Sequence, residues 1–153
     1  MRGSSGAVAL AGLALAAAVP GAEARTVRLD GPEARILEEP DVAVDPTAPN
    51  RVVVVVKDYQ GSGDLRIDRF VSSDGGRTFG PRRRIANASY GGVPALVSDP
   101  VVEFDGAGHA FFGALAIRFY PERDRFDSVI GVRRSADGGA SFGRPALAVR
   151  DEG

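Results

Sequence analysis

Two stretches of this 153-residue chain bring an acid, hydroxyls and glycines together in the same order. The run SSDGGRTF from Ser72 to Phe79 returns as SADGGASF from Ser135 to Phe142. A carboxylate beside hydroxyls has the look of an acid–base site. The same residues also have a mechanical reading, in which the chain reverses tightly between two strands. Gly76 and Gly139 supply backbone with positive φ, and Asp74 and Asp137 accept turn amide protons. Ser72, Thr78, Ser135 and Ser141 satisfy further backbone groups, and Phe79 and Phe142 anchor the returning strand. Repetition favours the mechanical role, so these ten residues are expected to be structural.

Few other residues offer chemistry. His109 is the only histidine and follows a DGAG run at a strand start, where it flanks a turn. With no cysteine and no second histidine, a zinc site has no ligands to draw on. The acidic residues between Arg118 and Asp127 lack EF-hand spacing. No metal and no cofactor is therefore expected. The Arg82-Arg83-Arg84 run beside a turn reads as a solvated strand end.

These residues are positioned by a repeating unit. Asp74 and Asp137 are 63 positions apart, while EPDVAVD from Glu39 aligns with DPVVEFD from Asp99 at an offset of 60. The second unit thus carries a three-residue insertion, expected in the polar stretch Arg118–Asp127. Each unit reads as four short strands: Asp41–Asp45, Asn50–Tyr59, Leu65–Ser72 and Thr78–Ala86, then Val101–Phe104, His109–Ile117, Ser128–Ser135 and Ser141–Val149. Val52–Val56 is a continuous β-branched run of the kind buried on both faces. Asn87–Ser98 links the units. Four antiparallel strands repeated at this spacing suit a β-propeller blade, with a two-sheet sandwich as the competing fold. The expected fold is all-β, a propeller fragment of about two four-stranded antiparallel blades.

Composition agrees. The chain has 20 Gly and 10 Pro, and 19 Lys plus Arg against 20 Asp plus Glu, a balance that gives no case for nucleic acid or an anionic membrane as partner. Arg2 precedes an uncharged run, Ala7–Val19, and Ala22-Glu23-Ala24 fits a small-residue cleavage site, so residues 1–24 read as a signal peptide. The expected location is secreted or periplasmic, with no membrane association after cleavage. Residues 25–36 form a lead-in, 37–89 the first blade, 90–149 the second, and 150–153 the start of a continuation. Because propellers close with about four to eight blades, a truncated product is expected, needing further blades in cis or self-association.

The two turns resemble the Asp-box of bacterial neuraminidase repeats (BNR), shared by sialidases, related glycoside hydrolases and non-enzymatic secreted propellers. Phe79 and Phe142 stand where that family usually has Trp. The resemblance covers roughly residues 37 to 149 and implies a function in exo-sialidase or glycosyl hydrolase action on glycans. It also implies that the ligand rim lies opposite the Asp-boxes. A sialidase needs arginines for the substrate carboxylate, an Asp acid/base and a Tyr activated by Glu. At the family's first arginine motif this chain has Leu37-Glu38-Glu39-Pro40, with Glu38 in the arginine's place. Lys57-Asp58 stands at the second. Asp64, or in its stead Asp58, is the candidate acid/base. Lys57, Asp58, Tyr59 and Tyr120 are the candidate substrate-binding residues, the tyrosines by stacking on sugar rings. The expected function is that of a sialidase-like propeller protein whose present portion is inactive alone, with a glycan as partner. The alternative is a non-catalytic extracellular propeller that binds glycan or protein.

Overall fold

The computed structural model describes residues 25–29, 36–59, 65–86, 89–90, 93–94 and 96–152. The expected signal peptide and Asp64 lie outside the described residues. The first sheet orders β1 (Ile36–Val44), β2 (Val52–Tyr59), β3 (Leu65–Ser72) and β4 (Arg83–Ala86) side by side. A small hairpin, β5 (Ser89–Tyr90) with β6 (Val93–Pro94), follows within the expected link. The second sheet orders β7 (Leu96–Phe104), β8 (Ala110–Tyr120), β9 (Arg125–Ser135) and β10 (Ala146–Glu152) in the same sequential way. All neighbours in both sheets are antiparallel. A sequential meander within each sheet is the topology of a propeller blade, whereas sandwiches are built on Greek-key crossings between sheets.

Alternation along the strands assigns the faces. On β2, Val53 and Val55 are fully buried toward the second sheet, where Val97, Val102, Phe104, Ala110 and Phe112 complete one shared core with Ala43 and Ile67. Phe142 packs against that core, its ring edge-on to Phe112 with centroids 5.8 Å apart. The continuous valine run follows from this position: Val52, Val54 and Val56 line the sheet's other face with Phe70.

Several element boundaries differ from expectation for identifiable reasons. β1 and β7 start upstream of Asp41 and Val101, because each passes through a bulge, between Glu38 and Asp41 and between Ser98 and Val101. Glu39 (φ 52°) and Asp99 (φ 51°) take the left-handed conformation there, each followed by a proline that has no N–H to give the ladder. The fourth strands start late, at Arg83 and Ala146, because the repeated turns extend to Gly80 and Gly143, which donate to Val71 and Arg134 carbonyls at 2.9 and 3.0 Å. Arg118–Asp127 is not a polar loop but a paired extension of β8 and β9, closed by a 3-10 turn at Pro121–Arg123 and by Asp124 (φ 46°). That hairpin is five residues longer than its counterpart, while the preceding turn is two shorter, which yields the offset of three. Arg150–Glu152 belong to β10 rather than to a third unit.

Candidate functional site

Beside the bulged starts of β1 and β7, one lysine of β2 is enclosed by acids. The Lys57 side chain is 11% exposed, and its ammonium donates to Glu39 and lies 3.0 Å from Glu38 Oε2 and 3.3 Å from Ser98 Oγ. Glu39 Oε2 accepts in turn from Ser98 Oγ at 3.0 Å and from the Asp99 amide at 2.9 Å, joining the first blade to the second. Burial on its own would lower the Lys57 pKa, but the hydrogen bonds to Glu39 and Glu38 outweigh it and hold the pKa above its ordinary value. The Lys57 hydrogen bond is the largest cause of the lowered Glu39 pKa. With Asp99 close by, the cluster has more acid than base. A substrate carboxylate would find Lys57 already neutralised and carboxylates around it.

Asp58 points to the opposite face of β2 and is fully buried. Arg82 reaches inward to it at 3.3 Å and to Asp68 at 3.5 Å. Burial, the largest cause, raises the Asp68 pKa, and the neighbouring Asp58 adds to it while Arg82 opposes. Two of the sequence expectations change here. Asp58 lies inside the blade and offers its carboxylate to Arg82, not to a rim ligand. Arg82 is an internal counterion rather than a solvated strand end. Sequence reasoning missed Arg82 and Asp68; the signal available was a charged Asp58 at the end of an apolar strand, which needs a cation once buried.

The tyrosines occupy strand ends. Tyr59 is half-buried at the last pair of β2 with β3. Tyr120 donates to Asp127 Oδ2 at 3.0 Å, and its ring lies 4.6 Å from the Arg118 guanidinium and 5.8 Å from that of Arg125. Its face is therefore engaged by cations within the hairpin. The structure brings Lys57, Glu38 and Glu39 together and leaves Tyr120 in a separate cluster. Among the described residues no group of acids and histidines is arranged to hold a metal ion.

The repeated turns superimpose in chemistry. Ser72 Oγ donates to Asp74 at 2.7 Å and accepts from the Gly76 amide at 2.9 Å; Ser135 does the same with Asp137 at 2.6 Å and Gly139 at 2.8 Å. Asp74 and Asp137 then each accept from the amide and hydroxyl of Thr78 and Ser141. The Thr78 hydroxyl bond is the chief cause holding the Asp74 pKa far below the usual carboxylate range. Burial works against the lowering at Asp137, yet the Ser135 and Ser141 bonds still bring it to about 2. Both oxygens of each acid accept hydrogen bonds within its own turn. His109 likewise flanks a turn, its Nδ1 2.8 Å from Asp105 Oδ2.

The comparisons with known proteins agree with this architecture. No family model matches the chain, and no curated protein does. Among solved structures, the chain resembles a microbial sialidase, Hadza microbial sialidase Hz136, with a TM-score of 0.58 and 17% identity over 72% of this chain. The fold is therefore sialidase-like, a propeller fragment of two blades. The chain spans 25% of the length of that sialidase.

Proposed function

We propose that the chain is a two-blade portion of a secreted sialidase-like propeller of the BNR, or Asp-box, type. This family's function is exo-sialidase or glycosyl hydrolase action on glycans, and this portion alone carries no hydrolase activity. The fold supports the first part, together with two turns whose Ser, Asp, Gly and Thr or Ser side chains make matching hydrogen bonds. The observation that carries the second is Lys57, saturated by Glu38 and Glu39 where an anionic sugar would need an open cation. Residues 1–24 support export, and glycan remains the proposed partner. A fluorogenic sialoside tests the reading: we expect no release of fluorophore above a protein-free blank. Turnover that disappears in Asp64→Asn would overturn it.

One observation favours the alternative, a binding propeller without turnover. The bulge of β1 exposes the Glu38 and Glu39 side chains at 45% and 37%, which suits a neutral or cationic partner better than a sialoside. Retention on a neutral glycan array, lost in Tyr59→Ala without any turnover, would support that class.

A further inference from the structure

The first blade covers most of its outer face from within the chain. Alternation along β2 and β3 places Val52, Val54, Val56 and Asp58 on that face, together with Phe70 and Asp68. It is the side away from the second sheet, whose core is shared by Val53 and Val55 of the inner face. Val52, Val56, Asp58, Asp68 and Phe70 are nonetheless buried. Arg82 covers the acidic end, reaching Asp58 and Asp68. The apolar part is covered by residues 25–29.

That segment belongs to no helix or strand, yet its exposure alternates as a strand's would. Val27 and Leu29 are half-buried, whereas Arg25, Thr26 and Arg28 are exposed. Val27 and Leu29 line a cavity of about 420 Å³ together with Leu37, Val54, Val56 and Phe70. The segment is therefore a strap that lies over the sheet without filling the space beneath it. An unfilled space forfeits van der Waals contacts. Holding such a segment in one conformation costs backbone entropy, which two half-buried side chains offset only in part. The strap is built to lift more readily than any strand of the core.

We propose that residues 25–29 are a displaceable cap on the first blade. Seated, the strap finishes this blade as an end unit of the stack and bars another sheet from its outer face; a sheet packs there only after the strap has lifted. End units of repeat arrays need a polar outer surface to stay soluble. The strap supplies one by turning Thr26 and Arg28 outward over the valines and Phe70. Val42 and Val44, 59% and 52% exposed on β1, mark where the cover stops. The inference rests on the packing of the first blade and not on the glycan reading, so the sialoside assay and the tests below fail independently.

Seating is tested first. The chain has no cysteine, so an introduced thiol reports its own shielding. Thr26→Cys, Leu29→Cys and Val53→Cys are each treated with a fluorescent maleimide under native conditions and in urea. The native rates are expected to fall severalfold from Thr26→Cys to Leu29→Cys, and severalfold again to Val53→Cys in the core, with all three alike in urea. A Leu29→Cys rate equal to that of Thr26→Cys would show an unseated strap, and one equal to that of Val53→Cys would show a strap that does not lift. Either result overturns the cap.

Its protective role is read in Val27→Asp with Leu29→Asp, against the outward control Thr26→Asp. The inward pair is expected to raise the fluorescence of the dye ANS severalfold over the unmodified chain and to sediment as larger species as concentration rises, with an unchanged β-sheet circular dichroism spectrum. The control is expected to match the unmodified chain in both. Unchanged dye binding and mass in the inward pair overturn the proposal, as does a control that behaves like the pair. Should the inward pair lose its β-sheet spectrum, Leu29→Ser takes its place, and the thiol rates decide independently.

Discussion

Asp74 and Asp137 show how far hydrogen bonding alone moves an acid. Each accepts two bonds from one residue four positions on and one from a serine two positions back, and each is ionised far below where a free aspartate would be. Their folded pKa values lie below the ordinary 3.8, so they add stability above that pH and lose it as pH falls toward about 2. Asp68 has the opposite sign: its pKa is raised, so ionising it on the way up from acid costs stability. Thermal melts from neutral to strongly acid pH are expected to show a falling melting temperature through this window. In Asp74→Asn/Asp137→Asn the chain should be less stable at neutral pH and its acid slope shallower; an unchanged slope would show that the turns do not carry it.

At the scale of the element, the two turns are alike in themselves and differ in what they touch. Gly76 (φ 83°) and Gly139 (φ 85°) both need a conformation that costs an alanine about 1–2 kcal/mol. Gly76→Ala should cost that alone, because its nearest neighbour is 4.0 Å away. Gly139→Ala also drives a methyl into Val53 and is expected to cost about 1–3 kcal/mol more. Urea titration of both variants measures the difference, and equal losses would mean that the second turn does not bear on the first blade. The turns, and β3 at Leu65–Ser72, were legible in the sequence because their hydrogen bonds and their period of two are local. The bulges at Glu39 and Asp99 and the late fourth strands were not. They follow from where a proline falls against a partner strand and from how far a turn's last glycine reaches across the sheet.

Across the whole molecule, one apolar cluster joins the sheets, Val53, Val55 and Ile67 of the first meeting Val97, Val102 and Phe112 of the second. The two blades are expected to unfold together. Phe112→Ala, at a fully buried ring in contact with Phe142, should cost about 3–5 kcal/mol. Hydrogen exchange should then speed up in β2 as much as in β8, whereas protection lost in β8 alone would show two independent units.

The sequence by itself determined the repeat, the two hydrogen-bonded turns and the all-β, blade-like strand order. Those follow from contacts within a few positions and from alternation along a strand. Tertiary structure alone decided the fate of the charged residues. Lys57 meets Glu39 from 18 positions away, Arg82 meets Asp58 from 24, and Glu39 caps Ser98 across 59. No local pattern sets such distances, since a charge's role depends on which opposite charge the packed sheets bring beside it and on how much water they remove.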